Sequence, residues 1–166
     1  MAEIIKQQDT RRVFIETLNE LAEKDPKIIV IICDVGFNYL DDPKNKFKVI
    51  NLGVTEMSSM IIAAALALAG FKPYIYSMIN FVTLRPFEAV RNAVCLHKAN
   101  VKIIGVKGSE KYKFLGFSHN LITDEEEINT LKHLPDFNTY IAESSEEVRR
   151  VVLESYNSEN PAYIRL

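Results

Sequence analysis

Residues Ile28–Ile32 read IIVII, five β-branched apolar side chains in a row. A strand with one wet face alternates apolar and polar residues. An unbroken apolar run suits a strand covered on both faces, as in parallel sheets. Outward from this run, helix and strand patterns alternate. Residues 12–24 carry Val13, Phe14, Leu18 and Leu21 at helical spacing, with Asp9 or Thr10 as N-cap and Asp25-Pro26 as stop. Residues 36–48 are polar, contain Asp41-Asp42-Pro43 and read as a loop; residues 48–52 read as a short strand. An alanine-rich helix over 56–69 ends at Gly70, a strand follows over 72–76, and a helix marked by Pro86 runs over 83–98. Beyond it come a strand at 101–106, a long loop over 108–123, and a short helix at 124–131. A strand at 139–142, a helix at 145–157 with a Ser-x-x-Glu start, and a strand at 162–165 complete the chain. This order predicts an α/β three-layer sandwich, a mainly parallel sheet of about six strands flanked by helices.

A length of 166 residues suits one domain spanning 1–166. With 48% hydrophobic and 25% charged residues, the composition is that of a globular protein and argues against disorder. The net charge is −2 and the 20 basic residues are spread along the chain, which argues against a nucleic-acid surface. The longest apolar stretch, MIIAAALALAG over 60–70, is too short to span a bilayer, so no membrane role is expected. Residues 1–10 are polar and lack the apolar core of a signal peptide, and a cytoplasmic location is expected. Cys33 and Cys95 have no metal-like or redox-like spacing and read as reduced core residues. No metal ligand set is assigned. Neither GxGxxG nor GxxxxGK[ST] occurs, so no glycine-rich phosphate loop is present.

Ligands of parallel sheets sit at the carboxyl ends of the strands. Three segments leave predicted strand ends with unusual polar content: 34–38, 51–56 and 107–120. Within them Glu56 is the most informative residue, because it leads straight into an almost wholly apolar helix. One reading is a carboxylate stabilising the first turn through the helix dipole. The other is a carboxylate at the ligand edge of the sheet, able to exchange a proton near neutrality when buried.

Asn51-Leu52-Gly53-Val54-Thr55-Glu56-Met57 resembles the glutamate motif of transketolase-like thiamine diphosphate enzymes. The resemblance continues through Ala63-Ala64-Ala65-Leu66-Ala67-Leu68-Ala69-Gly70-Phe71-Lys72-Pro73-Tyr74 and through Asn80-Phe81-Val82-Thr83-Leu84-Arg85-Pro86-Phe87-Glu88-Ala89-Val90-Arg91-Asn92. It takes in Gly116-Phe117-Ser118-His119, then Leu134-Pro135, and closes on Pro161-Ala162-Tyr163-Ile164-Arg165. These pieces stand in family order over nearly the whole chain and match the pyrimidine-binding domain. The resemblance implies that Glu56 hydrogen-bonds ring nitrogen N1′ of the aminopyrimidine and so activates the cofactor, which serves as electron sink. It implies that Phe81 stacks on that ring, with Met78 and Leu84 keeping an apolar wall where transketolases often carry aromatics. Phe81 and Phe87 also suit a core role, and Phe87 is assigned to it. His119 corresponds to the family histidine that faces substrate beside the thiazolium and polarises a hydroxyl or carbonyl; read alone, a histidine in a loop is as readily a surface or capping residue. His97 and His133 receive no role.

Four positions resemble the family's site for a substrate phosphate: Arg11, Asn38, Lys107 and Arg165, with Lys107 in place of a histidine and Asn38 in place of a serine. The alternative is four solvated polar groups. One position departs from the sugar-phosphate pattern: Leu115 stands where an acidic residue usually precedes the loop glycine. The family also holds Mg²⁺ and the diphosphate on another domain through Gly-Asp-Gly and a downstream Asn, and no Gly-Asp-Gly occurs here. The expectation is a split enzyme without its own diphosphate-binding or carboxy-terminal domain. A partner chain would hold Mg²⁺ and share the thiamine diphosphate in a heterotetramer, and this chain would show an exposed apolar patch. The expected reaction is two-carbon ketol transfer, with phosphorylated sugars among the candidate substrates and a small-molecule sugar or 2-oxoacid as the substrate class. A β-type chain of a 2-oxoacid decarboxylase or dehydrogenase and a noncatalytic interaction module are the alternatives.

Overall fold

The computed structural model describes residues 9–108 and 110–166, the side chains of residues 38 and 110–112 aside. Helix α1 (Thr10–Ala22) is capped by Asp9, whose carboxylate accepts from the Arg11 N–H at 3.0 Å. Strand β1 (Ile28–Ile32) follows and is buried along its whole length. A four-residue helix α2 (Phe37–Leu40), strand β2 (Lys48–Asn51), helix α3 (Glu56–Leu68) and strand β3 (Lys72–Met78) come next. Then come α4 (Ile79–Val82), α5 (Phe87–Ala89) with a π-helical continuation Val90–Cys95, and strand β4 (Lys102–Val106). A segment of 3₁₀ turns (Glu110–Ser118), helix α6 (Glu126–Leu131), strand β5 (Asn138–Ile141), helix α7 (Ser145–Asn157) and strand β6 (Ala162–Arg165) complete the order.

The six strands form one sheet in the order β2-β1-β3-β4-β6-β5, and every neighbouring pair is parallel. Alternate side chains of the central strands feed two cores. Val30, Ile32, Tyr74, Tyr76, Ile104, Val106 and Ile164 pack under α1 and α7, where Phe14 stacks on Tyr76 with ring centroids 6.1 Å apart. Ile29, Ile31, Ile75, Ile103 and Tyr163 pack on the other face under α3 and the π-helical segment. The two cores are the physical basis of the expected three layers. They also account for the unbroken IIVII run, since both faces of β1 are covered. Helix α7 starts in a full capping box, with Ser144 accepting from the Glu147 N–H and Glu147 accepting from the Ser144 N–H.

Two local departures shape the site. The helix expected over 83–98 is broken: α4 starts earlier, a turn spans 83–86, and the chain re-enters helix only at Phe87. Pro86 has no N–H and disfavours helical backbone at the residue before it, while the Thr83 hydroxyl closes α4 by donating to the Ile79 carbonyl at 2.7 Å. The segments expected as loops over 36–48 and 108–123 contain α2 and the 3₁₀ turns. Helix α2 begins at Gly36 with φ 84°, where a Cβ would meet the Leu40 Cδ1 at 2.8 Å. Among the described residues, no helix is long and apolar enough to cross a membrane.

Candidate functional site

Strand β1 connects outward to β2, whereas β3 connects in the opposite direction to β4, so the topology reverses between β1 and β3. Open parallel sheets bind ligands outside the carboxyl ends of the strands at such a point. A cleft of about 640 Å³ opens there. Its floor comes from the ends of β1 (Cys33, Asp34) and β3 (Ser77, Met78), and its walls include Glu56, Phe81, Arg85 and His119.

Glu56 is the first residue of α3 and is only 3% exposed. Its Oε1 accepts from the Arg85 guanidinium at 2.7 Å. The same guanidinium lies over the Phe81 ring, 4.1 Å from its centroid. Phe81 in turn meets the His119 imidazole edge to face, with centroids 5.0 Å apart and planes at 73°. The His119 Nδ1 is 2.7 Å from the Ser118 hydroxyl. Glu56, Arg85, Phe81 and His119 thus form one contact chain along the cleft, although they come from three separate places in the sequence. The break at Pro86 makes this possible: α4 brings Phe81 to the wall and the turn after it returns Arg85 four residues later.

The remaining sequence expectations divide. Met78 lines the cleft beside Phe81. Leu84, in the turn after α4, is not among the residues that line the cleft. Arg11 and Lys107 line the cleft, and the Lys107 ammonium reaches Asp124 at 3.0 Å. The hydrogen bond from Lys107 holds the Asp124 carboxyl below its ordinary range. Arg165 is not at the cleft. It is 9% exposed, and its guanidinium is spent internally, donating to the Asp124 carbonyl at 2.6 Å and to Glu127 at 3.0 Å. The Asn38 side chain lies outside the described residues. Leu115 lines the cleft, so the position expected to be acidic in a sugar-phosphate enzyme presents an apolar surface.

Three residues at the site had no assigned role in the sequence. Arg85 could have been suspected from its spacing of four after Phe81 and its place before Pro86. Cys33 lines the cleft floor rather than only the core; its thiol donates to the Ser59 hydroxyl at 3.3 Å, and burial pushes its pKa up. Asn80 has no sequence signal, since its partners lie far along the chain.

The family model for the transketolase pyrimidine-binding domain matches residues 6–166. The chain belongs to that family. As a transketolase pyrimidine domain it is 29% identical over 159 residues to an apulose-4-phosphate transketolase subunit of Phocaeicola vulgatus, covering 94% of this chain and 50% of that protein. It is 31% identical over 162 residues to 1-deoxy-D-xylulose-5-phosphate synthase of Desulfitobacterium hafniense, covering 93% of this chain and 24% of that protein. A solved split gene transketolase, in an inactive beta4 tetramer, superposes with a TM-score of 0.80 at 30% identity, covering 95% of this chain and 50% of that one. The chain therefore spans half or less of the length of these relatives. Among the described residues, no group of three or more His, Cys, Asp or Glu side chains could hold a metal ion.

Proposed function

We propose that this chain supplies the pyrimidine half of a thiamine diphosphate site in a split transketolase-like transferase, cytoplasmic in location, that moves a two-carbon ketol unit between sugars. The observation that carries this is the buried Glu56 carboxylate facing the cleft in one contact chain with the Phe81 ring. The donor set fits the aminopyrimidine end of the cofactor: a carboxylate for a ring nitrogen, an aromatic face for stacking, and apolar Met78 and Val54 around them. When bound, thiamine diphosphate supplies the electron sink that ketol chemistry requires.

The chain's own residues then have distinct tasks. Glu56 holds or releases a proton at the ring nitrogen, and its burial excludes water from that exchange. Arg85 orients the carboxylate through Oε1. Phe81 fixes the plane of the aminopyrimidine, with Met78 beside it. His119 presents its imidazole at the open side of the cleft and hydrogen-bonds a substrate oxygen. Arg11 and Lys107 offer cations to an anionic substrate group; Asn38 is the remaining candidate for that group, and Arg165 would have to leave Glu127 to join it. Leu84 would act on the cofactor only from outside this cleft.

The diphosphate and its Mg²⁺ are assigned to a partner chain, in a heterotetramer. Helix α3 supports this assignment. Met57, Ile61, Ala65 and Leu68 recur along one stripe and are exposed, with Ile62 and Phe71 beside them. Solvent-facing apolar stripes of this kind mark protein interfaces. The Phocaeicola relative, named as a subunit, and the split transketolase, named as an inactive tetramer, point the same way.

A 2-oxoacid decarboxylase or dehydrogenase chain is the second reading, favoured by the apolar Leu115 at the rim where a sugar hydroxyl would want an acceptor. Ketol transfer measured against 2-oxoacid decarboxylation separates the two. The role of Glu56 is tested by Glu56→Gln in the reconstituted complex. Turnover should drop by about 100- to 10,000-fold with assembly intact. Undiminished turnover would contradict the assignment.

A further inference from the structure

Asn80 stands in the first turn of α4, one residue before Phe81, and looks at first like an ordinary helix-start polar group. Its side chain does something else. The Nδ2 donates to the Phe117 carbonyl at 3.0 Å and to the Asn120 carbonyl at 3.0 Å. An amide nitrogen carries two protons, and these two carbonyls bracket Ser118 and His119. The loop that carries the imidazole is therefore tied on both sides of His119 by one side chain from the helix that carries its ring partner.

Two further observations bear on how the loop is held. The two phenylalanines of the loop do not hold it down, because Phe114 is 82% and Phe117 is 71% exposed. On the opposite side the loop rests directly against Gly108, where a Cβ would stand 2.8 Å from the Asn120 Oδ1 and 3.3 Å from the His119 carbonyl oxygen. Gly108 permits that close approach because it has no Cβ. The Asn80 Oδ1 is buried and accepts no hydrogen bond from the described residues, so its amide group is committed to the loop through the nitrogen alone.

We propose that Asn80 is a positioning residue for His119: its paired hydrogen bonds set the imidazole against Phe81 and over the mouth of the cleft. This rests on the substrate-facing role proposed above for His119. Orientation of this kind contributes strongly to rate, since a reacting group displaced by about 1 Å can cost about 100-fold.

Asn80→Asp keeps the size and shape of the side chain but removes both donors and sets carboxylate oxygens against two carbonyls. Asn80→Ala removes the donors without the repulsion and serves where the aspartate fails to fold. The first readout is NMR of the full 166-residue chain, in which only three histidines contribute imidazole signals and His119→Gln assigns the one of interest. The ring-current shift that Phe81 imposes on the His119 protons should collapse in both variants. The second readout is turnover of the complex with the diphosphate-binding partner. There kcat should fall by about 10- to 100-fold, with the loss carried by kcat rather than KM, and Asn80→Gln, which retains the amide, should recover part of it. A ring-current shift that survives in Asn80→Asp and Asn80→Ala overturns the positioning role whatever the chain's function. A shift that collapses while kcat is unchanged also overturns it, by showing that the place of His119 does not matter to turnover. Neither result depends on Glu56→Gln, which tests the proposed function separately.

Discussion

Glu56 shows how far one residue can be read before its surroundings are known. Its place ahead of an apolar helix made burial and a proton-handling role a coherent expectation, and the structure buries it at the cleft. What the sequence could not show is the cation that accompanies it. Arg85 is 29 residues away and meets Glu56 only because α4 and the following turn fold back across α3. The same limit applies to Arg165. Its type and position suited a phosphate, yet Glu127, fully buried, takes its charge. Lys102 is a second buried cation at the opposite end of the strands. Its ammonium donates to the Ser158 and Asn160 carbonyls at 3.2 and 2.7 Å, and burial pushes its pKa down to about 8. The unfolded chain holds that proton up to the ordinary lysine range, so between pH 8 and about 10.5 it binds more protons than the folded chain. Stability from this group therefore rises with pH across that window and is lowest below it. Denaturant titrations should show the wild type gaining on Lys102→Met by a few kcal/mol, on the order of 3, from pH 7.5 to pH 10.5. A constant difference between the two proteins would show that Lys102 titrates normally.

At the scale of elements, the periodic parts were legible and the interrupted parts were not. The strands at 28–32, 101–106 and 162–165 and the helices starting near residues 10, 56 and 145 all form, because an apolar run or a capping signal fixes each one locally. The helix expected over 83–98 forms only from Phe87 onward, because Pro86 lacks an N–H and restricts the residue before it, and the Thr83 hydroxyl closes α4 on the Ile79 carbonyl. The 3₁₀ segment and the turn after it that carries His119 have no periodicity to read, and Asn80 reaches their end through long-range hydrogen bonds to the Phe117 and Asn120 carbonyls. Packing between strands imposes a further constraint with no local signature. Gly105 in β4 faces Tyr163 of β6, and a Cβ there would lie 2.5 Å from the tyrosine hydroxyl and 2.6 Å from its ring. Tyr163 is fully buried and hydrogen-bonded to Glu127, so it has nowhere to move. Gly105→Ala should destabilise the fold by about 1–3 kcal/mol and lower the thermal midpoint by about 2–10 °C, measured by circular dichroism. An unchanged midpoint would mean that β4 and β6 shift apart freely, contrary to the tight packing of this core.

For the whole molecule, the sheet order places the reversal of topology, the buried carboxylate and the histidine loop at one edge. A second edge feature, the exposed apolar stripe on α3 next to the cleft, matches the sequence-based expectation of an exposed patch. The family membership follows from the chain as a whole. The central proposal is that the cleft is half of a site which a second protein completes. Native mass spectrometry of the protein isolated from its own cell extract tests this most directly. The predicted result is a particle containing this chain and a second, different chain in equal numbers, two of each, that releases thiamine diphosphate on activation in the gas phase. A particle containing copies of this chain alone, active in ketol transfer without any other protein, would contradict it.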